Sequence, residues 1–236
     1  MQISYILAGY NEGDIIEESI KKCISSLERD FDDYELILVD DGSTDSTGAV
    51  MDRFAGESGR ITVLHNLVNL NFGTSVLRGM CAAKKEWVIY NAADLPLPPE
   101  DTASVLSAAQ NYDVLVLDRV TYNVVLWRRI TSRVNTLLLH ILFPRLMRGT
   151  PTTNYIQVFR RECIGQCIPL ARSPIFAPPE MIFRAKLAGL RVGSQKHAPH
   201  IESKRKGAFG RPHDIIWGIY DMLRFRLRLW RHTIQR

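Results

Sequence analysis

The sequence lacks the signatures of the commonest nucleotide- and metal-dependent enzymes. No G-x-G-x-x-G follows its first apolar run and no G-x-x-x-x-G-K-[ST] occurs, which removes the usual dinucleotide and P-loop phosphate cradles. H-E-x-x-H and G-x-S-x-G are absent too, and the six histidines are dispersed without metal-ligand spacing. No stretch reaches the roughly 18 apolar residues of a membrane span, and LLLHILF at 137–143 is far too short. The opening MQISYILAGYNEGD turns polar too soon for a secretory leader. Cysteine is scarce: Cys23, Cys81, Cys163 and Cys167 are scattered, with no histidine placed to complete a zinc site. They are expected to be reduced, partly buried thiols of a cytoplasmic protein. There is no internal repeat and no low-complexity tract.

Acid is missing from particular places. Residues 119–161 hold eight arginines and neither acid nor lysine. Residues 204–236 carry nine Lys/Arg against two acids, a local charge of +7 in a chain whose net charge is +5. Two basic zones on a nearly neutral body point to anionic partners: phosphates, lipid headgroups or nucleic acid.

What is present is an alternation of strand and helix patterns through residue 118. ISYILA (3–8), YELILVD (34–40), ITVLH (61–65), WVIYNA (87–92) and YDVLVLD (112–118) read as buried strands. Between them Ile16, Ile20, Cys23 and Leu27 mark one helix, Val50, Met51 and Phe54 a second, and Val76, Leu77, Met80 and Cys81 a third. A fourth helix starts with proline in PPEDTASVLSAAQ. The pattern predicts an α/β fold, a mainly parallel central sheet with helices on both faces. Such sheets bind ligands at the carboxyl ends of their strands, here GYNE, VDDGS and AAD. Beyond 118 the pattern predicts a long helix over 123–143, a strand at NYIQVF (154–159), a helix over 179–189, a strand at LRVGSQK and a basic amphipathic helix over about 213–233. In the 123–143 helix Trp127, Ile130, Val134, Leu137, Leu138 and Ile141 share one face, and Arg128, Ser132 and Asn135 the other.

VDDGSTDST puts two adjacent acids just past a buried strand, where they can accept hydrogen bonds from a base or a ribose. Gly42 permits a sharp turn, and Ser43 to Asp45 can cap the next helix. A polar turn with a cap is the purely structural alternative. VIYNAADLPLPPE delivers one carboxylate, Asp94, to a proline-stiffened loop.

Four segments, AGYNEGD (8–14), ILVDDGSTDST (37–47), NLNFGTSVLRG (69–79) and EWVIYNAADLPLPPE (86–100), resemble the family-2 glycosyltransferases in order and spacing. These are inverting enzymes of the GT-A fold that use nucleotide-sugar donors. The resemblance implies that Tyr10, Asn11, Glu12, Asp40, Asp41, Gly42 and Ala93 line the nucleotide-sugar pocket, with Asp94 beside the donor diphosphate. Within the family the chain looks most like polyprenyl-phosphate glycosyltransferases of the dolichyl-phosphate-mannose synthase type. That likeness assigns the acceptor phosphate to Arg119, Arg128, Ser132, Asn135 and Arg205, and it makes Asp94, Arg119, Arg128 and Ser132 the catalytic set. A phosphate acceptor is already ionised and needs no general base, only cations to hold it in line.

The chain departs from the family at Ala92, where the first Asp of Asp-x-Asp is expected, and at Pro96, Ala8, Asn71 and Pro151. Asp94 is then the one implied ligand for Mg²⁺ or Mn²⁺, and a metal-independent site is an alternative. Two further readings stay open: transfer to a sugar hydroxyl, with Glu180 as base, and a non-catalytic nucleotide- or lipid-binding partner. The reading divides the chain into a single domain over 1–211, with a nucleotide-sugar half (1–118) and an acceptor half (119–211), and a basic amphipathic helix over 212–236. That helix either lies on a membrane surface, at its cytoplasmic face, or packs on the body. It could equally serve a homo-oligomer or a membrane partner protein. The donor motifs leave nucleic acid without a role.

Overall fold

The structure, a computed structural model, describes residues 1–119, 126–150, 156–171, 173–197 and 212–234. Five strands and four helices alternate first: β1 (Gln2–Gly9), α1 (Ile16–Asp30), β2 (Asp33–Asp40), α2 (Thr47–Glu57), β3 (Ile61–His65), α3 (Phe72–Ala82), β4 (Trp87–Ala92), α4 (Thr102–Ala109) and β5 (Val114–Arg119). They are followed by α5 (Leu126–Leu142), α6 (Pro144–Met147), β6 (Gln157–Arg160), α7 (Ile164–Cys167), α8 (Ala177–Leu187), β7 (Val192–His197) and α9 (Pro212–Ile234).

The strands form one seven-stranded sheet in the order β3-β2-β1-β4-β6-β5-β7. Every neighbouring pair is parallel except those made by β6, which runs antiparallel to both β4 and β5. The expected strand at 154–159 thus begins at Gln157 in the described residues and continues one residue further. Successive side chains of a strand point to opposite faces, and both faces here are apolar. Ile3, Tyr5 and Leu7 of β1 join Ile16, Ile20, Cys23 and Leu27 of α1 in one core layer. Ile6 and Ala8 join Val76 and Met80 of α3 and Ile182 of α8 in the other. Burying each of these Ile, Leu, Val and Met side chains contributes about 1.5–3 kcal/mol. Cys81, expected on the core face of α3, is exposed, because the buried stripe of this short helix runs through Ser75, Val76, Gly79 and Met80. All four cysteines are free.

A third core, away from the sheet, joins Leu139 of α5 and Phe143, between α5 and α6, to Phe176 just before α8, Phe183 of α8 and Met222, Phe225 of α9. Among the described residues no helix is long and apolar enough to cross a membrane.

Candidate functional site

The order of the strands makes the site. The chain leaves β1 to build β2 and β3 on one side, then returns to lay β4 on the other. The register sets Gly9 opposite Asp40 and Ala8 opposite Ala92, so three strand ends lie level at one edge. That is the topological switch point at which open α/β sheets bind ligands. β5 reaches the same edge. Val158 of β6 pairs with both Ile89 and Leu115, so Arg119 is level with Ala93 two strand spacings away, about 10 Å.

The loop after β2 is stitched to the loop after β1. Asn11, in left-handed conformation at φ 53°, accepts from the Thr44 N–H at 2.8 Å, and its own N–H donates to the Ser43 hydroxyl at 3.0 Å. The Glu12 N–H donates to Thr47 Oγ1, and Gly13 N–H to Asp45 Oδ2. Asp45 also accepts from the Thr47 N–H at 3.0 Å, so it closes the first turn of α2, whereas Ser46 at the cap position makes no side-chain cap. Burial works to raise the Asp45 carboxyl, but the hydrogen bonds from Thr47 and Gly13 outweigh it and hold it below the usual range. Tyr10 is exposed beside this seam.

The two adjacent acids have different surroundings. Asp41 is buried; its Oδ1 accepts from the Asn66 amide at 2.9 Å and from the Leu70 N–H at 2.8 Å, which ties the β3–α3 loop down. Asn66 in turn donates to Ser75 and accepts from Arg78. Asp40 is buried at the strand end. Its Oδ1 accepts from the Ser43 N–H at 2.9 Å, and its Oδ2 lies 3.0 Å from His65 Nδ1. The far nitrogen of His65 is 3.0 Å from Asp52 of α2. Burial works to raise the Asp40 carboxyl; the Ser43 and His65 hydrogen bonds overcome it and leave it lowered. The same contacts, Asp40 first and Asp52 second, raise His65 above the usual imidazole value. Gly42 has φ +76°, and a Cβ there would meet the Val68 carbonyl carbon at 2.5 Å, so the turn demands glycine.

Beyond β4 the chain turns at once. Leu95 N–H donates to the Ala92 carbonyl at 2.9 Å, and Leu95 adopts φ 50°, a strained conformation for a branched side chain. Ala93 is held from both sides: its N–H donates to the Ala8 carbonyl and its carbonyl accepts from the Ser19 hydroxyl of α1 at 2.6 Å. Buried Asn91 completes the turn by donating to Tyr5 Oη and the Leu97 carbonyl and accepting from the Ala92 N–H. Leu95 and Leu97 drop into the core, so Asp94 is lifted at the tip of a fixed turn. Its carboxylate has no hydrogen-bond or ion-pair partner among the described residues. Among those residues no three His, Cys, Asp or Glu groups cluster to hold a metal.

The acceptor-side residues are spread along β5 and α5. Arg119 closes β5 in register with His197, and Arg128 lies in the first turn of α5. Ser132 is exposed and Asn135 half-buried further along α5. Arg205 lies outside the described residues, as do Pro151 and the side chains of Arg119 and Arg128. Glu180, the candidate base, is only 1% exposed. Its Oε1 accepts from the Leu170 N–H and from Arg184, and its Oε2 from the Ala171 N–H, so it fixes a loop instead of facing a cleft. Sequence reasoning passed over Asn91, His65, Asn66 and Ser19. A lone asparagine inside an apolar strand run was a usable signal for Asn91, since a buried amide must be paired; the others depend on contacts between distant segments.

Comparison with known proteins places this arrangement. The profile described as Glycosyl transferase family 2 matches residues 4–168. An undecaprenyl-phosphate 4-deoxy-4-formamido-L-arabinose transferase of Edwardsiella ictaluri is 33% identical over 135 residues, 56% of this chain and 41% of that protein. The Pseudomonas fluorescens protein of the same name is 28% identical over 182 residues, 75% of this chain and 52% of its own length. The chain thus spans about half the length of these curated relatives. Among solved structures, Mycobacterium tuberculosis glucosyl-3-phosphoglycerate synthase, in complex with Mn²⁺, UDP and phosphoglyceric acid, superposes with a TM-score of 0.64 at 21% identity, covering 95% of this chain and 78% of that one. The Pyrobaculum calidifontis mannosyltransferase PcManGT, bound to GDP-Man and Mn²⁺, gives 0.59 at 17% identity, covering 88% and 58%. These likenesses establish the GT-A arrangement of the sheet and its helices.

Proposed function

The chain belongs to glycosyl transferase family 2, and on that premise we propose that it moves a sugar from a nucleotide-diphosphate donor to a polyprenyl phosphate, with inversion at the anomeric carbon. The observation that carries this reading is the meeting, at one sheet edge, of Asp40, fixed by Ser43 and His65, and Asp94, raised on a rigid turn with its carboxylate unengaged among the described residues. Asp40, whose two oxygens are held by Ser43 and His65, keeps lone-pair capacity for a base or ribose donor group. Tyr10, Asn11, Glu12, Gly42 and Ala93 shape the pocket around it, and Asp41 holds the adjoining loop. The undecaprenyl-phosphate acceptor named in the relatives supports the acceptor half, as does the absence of any acid from 119 to 161.

The chemistry is a single displacement. An oxygen of the acceptor phosphate attacks the anomeric carbon as the bond to the donor diphosphate breaks on the opposite face. The bonding pair leaves with the nucleoside diphosphate. No proton has to be removed, because the attacking phosphate is already anionic. Arg119, Arg128 and Arg205, with Ser132 and Asn135, are assigned to hold that phosphate in line; arginine's planar fork matches its oxygens. Mg²⁺ or Mn²⁺ fits the donor set: Mg²⁺ is commonly bound by one or two carboxylates with substrate phosphates and water supplying the rest, and Asp94 offers one carboxylate that no described side chain ion-pairs. Bound there, the ion would neutralise charge growing on the departing diphosphate. A sugar-hydroxyl acceptor would need a base, and the engagement of both Glu180 oxygens counts against that route.

The test is transfer from a panel of nucleotide-sugars to undecaprenyl phosphate, with and without Mn²⁺. Lipid-dependent turnover that falls at least a hundredfold in both Asp94→Ala and Arg128→Ala is expected. Turnover with a glycan acceptor alone, or nucleotide binding without turnover, would replace this reading.

A further inference from the structure

Two helices of the third core leave apolar rows in solvent. On α5, Val134, Leu137 and Ile141 are exposed, the last at 64%. On α9, Ile216, Tyr220, Leu223, Leu227 and Trp230 are exposed, Ile216 at 67% and Trp230 at 60%. At 3.6 residues per turn each row forms one stripe opposite the side chains its own helix buries, Leu139 on α5 and Met222 and Phe225 on α9. The two helices pack together, and each stripe points away from the core. Contiguous apolar surface of this kind marks an interaction site.

The rows advance by alternating steps of four and three residues, which is also the seam of a coiled coil, so a second copy of the chain is the competing occupant. Charge separates the two. Arg224 and Arg226 are exposed at the positions that flank the α9 seam. Pairing two copies along it would bring these arginines together with no acid to offset them. Asp221, the acid within the span of the row, is buried and accepts from the Ser173 N–H. α5 and α6 contain no acid. A negative surface attracts what a second copy would repel, and tryptophan and tyrosine among aliphatic residues suit the boundary between headgroups and acyl chains.

We infer that the α5–α9 face docks on an anionic lipid surface, its apolar rows entering the headgroup–acyl boundary and its arginines at the lipid phosphates. The inference rests on the exposed surface and not on the acceptor proposed above, so either can fail alone.

The experiment is co-sedimentation of the full chain with vesicles of phosphatidylcholine, with and without phosphatidylglycerol, alongside its oligomeric state by light scattering. Binding to the anionic vesicles that weakens with added salt is expected. Arg224→Ala with Arg226→Ala should weaken it roughly thirtyfold, each arginine contributing about a factor of five. Leu223→Glu with Leu227→Glu, both at exposed positions, should abolish it while circular dichroism and the melting temperature hold. No binding to anionic vesicles, equal binding to neutral ones, or a stable dimer that the leucine variant splits would each overturn the inference.

Discussion

Asp40 reaches its working geometry through a neighbour 25 positions along the chain: His65 holds one carboxylate oxygen while its other nitrogen contacts Asp52. The raised His65 value fixes the sign of a pH effect. The folded imidazole binds its proton more tightly than the unfolded one, so its contribution is complete below the ordinary value near 6.5 and fades as pH rises through the higher folded value. Melting temperatures of the native chain and His65→Gln should differ by a constant margin at acid pH and converge above that window. Asp94 makes the second prediction at this scale. Returning an acid with Ala92→Asp should tighten Mn²⁺ binding in the presence of a nucleoside diphosphate by about tenfold, read by calorimetry.

At the scale of elements, the β4–α4 turn supports Asp94, and the β2–α2 loop with β3 holds Asp40. Asn91→Ala would leave the Leu97 carbonyl without its Asn91 donor inside the core and take from Tyr5 Oη one of its two side-chain partners, leaving Cys23. Leaving such groups unpaired costs about 1–3 kcal/mol, so urea unfolding should show a loss of that order, together with a fall in turnover because Asp94 loses its support. In α2 the close approach is at Gly48, where a Cβ would sit 2.8 Å from Asp40 Oδ2. Alanine is the better helix former by about 1 kcal/mol, yet Gly48→Ala should weaken nucleotide binding severalfold in a titration by pushing the carboxylate aside. α3 marks the limit of periodicity. Val76 and Met80 face the core as their spacing predicted, but Cys81 does not, because neighbouring helix positions diverge by more than a quarter turn and a stripe of this width admits few of them.

Across the whole molecule, Phe143 joins α5 to the rest. Its ring lies 5.1 Å from Phe183, 5.8 Å from Phe176 and 5.7 Å from Phe225. Phe143→Ala should cost about 3–5 kcal/mol in denaturant unfolding, and should expose α9 to proteolysis before the sheet is lost. The sequence by itself determined the alternation of strands and helices and the strand ends at or just past which Asp40, Asp94 and Arg119 stand, because local periodicity and turn chemistry mark those ends. Only the tertiary structure decided which acid is available and which is consumed. Asp40 and Asp41 look alike in VDDGS, and Glu180 looks like a free carboxylate, until partners from residues 65, 66, 70, 171 and 184 arrive. It also decided which face of α9 is buried, because an amphipathic row specifies a stripe but not its neighbour, and Phe225 claimed the core while Leu227 remained outside. Local patterns are set by chain geometry over one or two turns; pairing and burial depend on segments that meet only after the chain has folded.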